Sequence, residues 1–372
     1  MTDRIAGAFT SWGKLDKVLL GTMHPISYFD EVPDPAYKDR MVKITQETIE
    51  DLDNLSTLMA GHGVEVHRTK SYFNKPGVYS NGHVNMINPR PPYTPRDNVD
   101  FVDNKMISLY NSNQPAQYFD DFAHHELFAE LARQGAKWNQ MPKGPCNMDE
   151  QDSKVSYIDD EYPGEFTPYW DSSNVTKIGR YFFHTIKKNS NKLGLAWIKE
   201  VLGDKIEFIE YSDKERFVNH VDATIKIIRP GLLLSAYAKE HVVKCIPQMS
   251  SWDCIHLPTS NERKIEKYFD FENYHDGRPA ENHNNVEKWS SSWLENWADD
   301  DVLNTNFDIN VISLDENTVI IPEANPEYEK LLAGHNVKTI VCNLRHRFFW
   351  GHGLNCVTSD ILREDECIDY FK

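Results

Sequence analysis

The chain has 372 residues, with 40 lysines plus arginines against 57 aspartates plus glutamates and a formal charge of −17. Such an acidic balance argues against a nucleic acid or an anionic membrane surface as the main partner and suits a small cationic ligand better. The length allows one large domain or two ordinary ones with a real core, and six scattered cysteines without a C-x-x-C pair exclude a zinc ribbon or a thioredoxin-like motif.

In chain order, the first strand-like run is KVLLGT, reached at Val18 without a signal-peptide core. No apolar run attains the length of a membrane span, so a soluble, cytoplasmic protein is expected. Met41, Ile44, Thr48, Leu52, Leu55 and Met59 keep a helical period that Gly61-His62-Gly63 stops. Strand-like runs follow: VEVHRT, VDFVDNKMISLY and, after a second amphipathic stretch at Leu193, Trp197 and Val201, KIEFIEYS. ATIKIIRPGLLLSA and INVISLDENTVIIPE read as hairpins, turning at Arg229-Pro230-Gly231 and Asp315-Glu316-Asn317. PEYEKLLAG opens a helix on Pro326 and closes it on glycine, and VKTIVCNL and NCVTSD end the series. The rhythm predicts a mixed α/β chain of repeated hairpin, helix and strand units. Residues 261–301, polar and carrying Trp289, Trp293 and Trp297, read as an insertion in a single domain spanning 1–372.

Candidate chemistry concentrates on a few positions. In FFWGHGLNCVTSD, Cys356 follows Gly351, His352 and Gly353; a core cysteine is the bland reading, and a nucleophile needs histidine and carboxylate partners. FVNHVDATIKII supplies His220 and Asp222, two apart and expected on one face of a strand start. Asp97 in YTPRDNVDFV and Asp171 in TPYWDSSNVTKIGR are each ordinary cap or turn residues when taken alone. Together the set supplies what cleavage of a guanidinium C–N bond requires: anions for a planar cation, a thiolate for its carbon and a proton donor for the leaving amine. AHHELFAE from Ala123 lacks the histidine spacing of a zinc helix.

The succession PRD, WDSSN with IGR, NHVDATIKIIRPGLLLS and GHGLNCVTSD resembles the arginine:glycine amidinotransferase family of the guanidino-group-modifying pentein superfamily, and the likeness extends to AKWNQMP and LGLAWIKEVL. The resemblance implies a five-bladed α/β propeller of ββαβ units around a central site, no metal and no cofactor, and a homodimer. It implies Cys356 as the nucleophile, His220 as proton shuttle paired with Asp171, and Asp97 and Asp222 as guanidinium-holding carboxylates. Arg96, Lys239, Phe217, Asn219 and Asn355 are expected to line the substrates, which would be L-arginine and an amine acceptor. An arginine deiminase-like hydrolase and a non-catalytic binding propeller are the competing readings. The sequence departs from the family where Phe217-Val218-Asn219 replaces Asn-Pro-Met, where Lys239 stands for an arginine, and where Gly179-Arg180-Tyr181 replaces Gly-Arg-Asp; the acceptor is therefore not fixed as glycine.

Overall fold

The computed structural model describes residues 4–32, 35–80, 85–87, 91–110, 120–143, 168–186, 190–211, 220–257 and 306–372. The 261–301 segment, Phe217 and Asn219 lie outside them.

Five units of one design follow each other along the chain. The first holds β1 (Lys14–Leu20), α1 (Pro35–Gly61) and β2 (Glu65–Arg68), and is followed by a two-stranded hairpin, β3 (Val78–Ser80) with β4 (Asn85–Ile87). The second runs β5 (Val99–Val102), β6 (Lys105–Ser108), α2 (Asp120–Arg133), β7 (Lys137–Gln140). The third is β8 (Val175–Ile178), β9 (Tyr181–His184), α3 (Lys192–Leu202), β10 (Glu207–Glu210). The fourth is β11 (Ile225–Arg229), β12 (Leu232–Ser235), α4 (Lys239–Cys245), β13 (Asp253–His256). The fifth is β14 (Ile312–Asp315), β15 (Thr318–Ile321), α5 (Pro326–Gly334), β16 (Lys338–Val341), and β17 (Thr358–Glu364) follows it.

In every complete unit the first two strands pair antiparallel, as a tight turn allows, and the third pairs parallel to the second after a helical crossover. The first unit lacks its own first strand. β17 supplies it, pairing antiparallel with β1 at Val18↔Asp360 and Leu20↔Thr358, so the end of the chain closes the ring. Burial grades across each sheet in the same sense. β5 is buried throughout, whereas β7 is largely exposed, and β11 and β13 repeat the contrast. A strand covered on both faces shows no alternation of burial, and VDFV and IKII are buried at every position, Asp100 and Lys226 included. The result is the five-bladed α/β propeller, with first strands innermost: Ser359 Oγ donates to Val99 O at 3.0 Å across β17 and β5, and Arg229 Nη1 reaches Asn317 Oδ1 at 3.1 Å between the fourth and fifth units.

Local chemistry explains the element ends. Asn191 caps α3 by accepting from Gly194 N–H at 2.7 Å, and Asn325 caps α5 through Tyr328 N–H at 3.1 Å, behind Pro326 in its favoured first-turn place. The turns at Arg229-Pro230-Gly231 and Asp315-Glu316-Asn317 join β11 to β12 and β14 to β15. VDFVDNKMISLY is a hairpin rather than one strand. Asp103 and Asn104 both hold positive φ (48° and 61°), the conformation that a two-residue turn matching strand twist demands. Among the described residues no helix is long and apolar enough to cross a membrane.

Candidate active site

The candidate residues share one place in the repeat: each sits just before the innermost strand of its unit. Asp97 lies in the turn Pro95–Asn98 ahead of β5, and Asp171 precedes the 3-10 turn Ser172–Asn174 that leads into β8. His220 and Asp222 flank Val221 before β11, and Cys356 stands two residues before β17. Five strand mouths therefore converge on one end of the ring, and four of them carry the residues named from the sequence. The expectation that His220 and Asp222 share a strand face is corrected: Val221–Ala223 form a 3-10 turn, and the strand begins only at Ile225. The turn, not strand alternation, brings both into the site.

Asp171 is buried and its orientation is fixed from below. Its Oδ1 accepts from Ser173 N–H at 2.9 Å and from the Ser173 hydroxyl, and its backbone N–H donates to Ser190 Oγ at 3.1 Å. The other oxygen, Oδ2, meets His220 Nε2 at 3.4 Å. Burial works against charge on the imidazole, but Asp171, Asp97 and Asp222 outweigh it and raise the pKa of His220 to about 10. His220 is thus an acid in the free protein. Asp97 is buried beside Asp171 and Asp222, and burial together with these like charges lifts its carboxyl to about 7.

Cys356 is buried, and burial, Asp222 and Asp97 push its thiol well above the usual thiol range. Its backbone N–H donates to Asn310 Oδ1 at 2.9 Å. Asn310, in the turn before β14, was not evident from the sequence; it occupies the fifth strand mouth, two residues before its strand as Asp97 and Cys356 are before theirs. That spacing was the available signal. Asn310 Nδ2 donates to Asp222 Oδ2 at 3.2 Å, and Asn355 Nδ2 donates to the same oxygen at 2.7 Å. Asp222 Oδ1 is left buried with no hydrogen-bond partner among the described residues. Buried carboxylate oxygens are seldom left so, and a cationic N–H donor is what this one lacks.

Some residues expected to line the substrates also hold the site together. Arg96 is committed to the protein: Nε donates to Asn355 O at 2.7 Å and Thr358 O at 2.9 Å, and Nη2 pairs with Asp360 Oδ1 at 3.0 Å. It clamps the loop that carries Cys356 with Nε and Nη2 of its guanidinium. Asn355 holds the loop from the same side, and its carboxamide reaches Asp222 rather than solvent. Lys239 is the first residue of α4, half-buried beside Cys254, and makes no hydrogen bond or ion pair with Cys356, His220, Asp171, Asp97 or Asp222 among the described residues. The sequence also passed over the buried supports Lys226, Asp360 and Arg363. Arg363 Nε donates to Asp360 Oδ2 at 2.9 Å, and although burial opposes it, Arg363 and Arg96 hold the Asp360 carboxyl well below the usual range.

Asp97, Asp171 and His220 place one ligand atom each within 4.8 Å of one another, the arrangement of a possible cation site. A metal would have to displace the imidazolium proton that the three carboxylates retain. A planar organic cation, by contrast, leaves His220 protonated and uses carboxylate lone pairs directly. The geometry therefore gathers a thiol, an imidazolium acid and the buried carboxylates of Asp97, Asp171 and Asp222 at one end of the ring.

No protein-family model matches the chain. Among known proteins it is similar to the L-arginine:L-lysine amidinotransferase of Pseudomonas savastanoi pv. phaseolicola, at 24% identity over 98% of this chain and 96% of that protein. The mitochondrial glycine amidinotransferase of Xenopus laevis is 26% identical over 88% of this chain and 72% of that protein. Among solved structures, an amidinotransferase from Microseira wollei in the saxitoxin biosynthetic pathway superimposes with a TM-score of 0.73 at 20% identity, covering 98% of this chain and 99% of that one.

Proposed function

The chain belongs to the amidinotransferase family of the pentein superfamily and is a transferase, and from that premise we propose that it moves the amidino group of L-arginine to a primary amine through a covalent amidino-cysteine on Cys356, releasing ornithine. The observation that carries this reading is the unpaired Asp222 Oδ1 beside the Cys356 thiol, with Asp97 also bearing on it: a site short of one cation.

In this reading the guanidinium is the missing charge. Asp222 and Asp97 are the groups whose charges hold the thiol proton on, so neutralising them with a bound cation lets that proton leave to solvent. The thiolate adds to the guanidinium carbon and forms the S–C bond. Its collapse breaks the C–N bond to the ornithine side chain, and the imidazolium of His220, held charged by Asp171, gives its proton to that departing nitrogen. His220 is then neutral and able to take a proton from the acceptor ammonium. The freed amine attacks the amidino carbon and passes its surplus proton to the departing sulfur as the S–C bond breaks, and the product guanidinium leaves with the Cys356 thiol and the His220 imidazolium restored. Asn310 holds the Cys356 backbone in place throughout, through a bond that does not change with protonation.

The experiment is incubation with arginine alone and then with glycine, lysine, ornithine and γ-aminobutyrate, reading products by mass spectrometry. Catalytic ornithine release that requires an amine, together with a product heavier by one amidino group, supports transfer and names the acceptor. Citrulline formed from arginine and water overturns it in favour of hydrolysis.

A further inference from the structure

Lys226 is a buried ammonium in the second position of β11, and its one hydrogen bond among the described residues is to Asn355 Oδ1, at 2.8 Å. Such a cation is expensive to bury with so few partners. The charges facing it are mixed: Arg96 from the turn before β5, Asp360 and Arg363 from β17, and Asp222 from the turn before β11. An aliphatic residue would suit the surrounding strand, whose other residues from Ile225 to Ile228 are isoleucines.

What the ammonium does is settle the direction of an amide. The carboxamide of Asn355 stands between a group that only donates, Lys226, and one that only accepts, Asp222. With the ammonium in place, Oδ1 must face Lys226 and Nδ2 must face Asp222. Asn310 is held in the same sense, since the Cys356 N–H, another obligate donor, takes its Oδ1 and leaves Nδ2 for Asp222. Two amides thus saturate one oxygen of Asp222 and leave the other open.

We propose that Lys226 is a positioning residue for donor binding: by fixing the Asn355 carboxamide it keeps Asp222 Oδ2 occupied and Oδ1 available to the guanidinium of the amidino donor. Burial, with Arg96 beside it, brings the pKa of Lys226 down to about 7, so the lock weakens as the pH rises through neutrality and a charge-assisted bond becomes an ordinary one. The inference rests on the amidino-transfer reading above.

The test compares Lys226→Met, which keeps the stem and removes the donor, with Lys226→Gln, which keeps an N–H donor without charge. Amidination of Cys356 by arginine alone is followed by mass spectrometry. In Lys226→Met the arginine concentration for half-maximal amidination rises about tenfold or more with a smaller change in maximal rate, while Lys226→Gln stays within about threefold of the parent. Half-saturation in the parent rises above neutral pH, and in Lys226→Gln it does not. An unchanged half-saturation in Lys226→Met overturns the proposal, as does an equal loss in both variants. If the parent protein itself gains no amidino group, the reading of the reaction has failed instead, which separates the two.

Discussion

Asn310 grips Cys356 by its backbone: Oδ1 accepts the Cys356 N–H at 2.9 Å, while the Asn310 carbonyl takes the N–H of Asn355 at 3.0 Å. Two successive amides of the cysteine loop are thus held by one residue of the neighbouring unit. Asn310→Ala removes the side-chain half of that grip and one of the two donors on Asp222. The rate of Cys356 amidination should fall by about 10²-fold, the scale of a misplaced nucleophile. Single-turnover kinetics with arginine measures it, and a rate within threefold of the parent would remove Asn310 from the machinery.

Gly353 makes the same loop sensitive to a single methyl group. A Cβ there would stand 2.5 Å from Asn310 Cβ and 2.6 Å from its Oδ1, closer than real contacts allow, and both partners are buried. Gly353→Ala must push Asn310 away from Cys356, so it should resemble Asn310→Ala in amidination rate. Full activity in the alanine variant would show that the loop tolerates the displacement.

The His220–Asp171 pair gives a stability signature with a definite sign. The folded pKa of His220, about 10, exceeds the value of about 6.5 expected of the unfolded chain, so folding takes up a proton between them. The pair's contribution is complete below about pH 6.5 and is lost as the pH rises through about 10. Asp171→Asn removes a main source of that shift, and the fall in urea midpoint between about pH 7 and pH 9.5 should flatten relative to the parent. An identical slope in both proteins would mean that the imidazole titrates without Asp171.

Much of this site was legible because its residues bear charge or a thiol in short, distinctive strings: His220 with Asp222, Asp171 after two aromatics, Cys356 after glycines. The repeat was legible through hairpin turns such as Arg229-Pro230-Gly231, whose chemistry is local. Ring closure was not, because the partner of β1 is β17, more than three hundred residues away, and nothing local to either strand selects the other. The clamp made by Arg96 was hidden for a related reason: the carbonyls of Asn355 and Thr358 that its Nε holds lie 259 and 262 residues further along the chain. Lys226 and Asn310 were missed because their roles depend on what lies across the ring, in other units of the repeat.

Asp97 gives the donor its own pH dependence. Its carboxyl, lifted to about 7 by burial, Asp171 and Asp222, must ionise to hold a guanidinium. The value of kcat/KM for arginine should therefore drop on the acid side of about pH 7, approaching tenfold per pH unit, because that ratio reports groups in the free enzyme. In Asp97→Asn the acid limb at that position should disappear along with most of the activity. A parent profile flat from about pH 5 to pH 8 would contradict the role of Asp97 as a titrating donor contact.

Cys356 should behave as a thiol, not a thiolate, until a cation arrives. Burial raises its pKa first, and Asp222 and Asp97 add to it, while a backbone hydrogen bond from Gly353 and the charge of Arg96 act in the opposite sense. Alkylation of the free protein by iodoacetamide should accordingly be slow at neutral pH and still climbing at alkaline pH, since only the thiolate reacts. Asp222→Asn removes the charge that contributes most to the shift and keeps the residue's shape, so Cys356 should alkylate faster than in the parent at pH 8 by about tenfold, one pKa unit of relief. Reaction with the parent already at its plateau near neutral pH would establish a resting thiolate paired with the His220 imidazolium. Donor binding would then have no thiol proton to expel, and the guanidinium would serve to orient the carbon rather than to create the nucleophile.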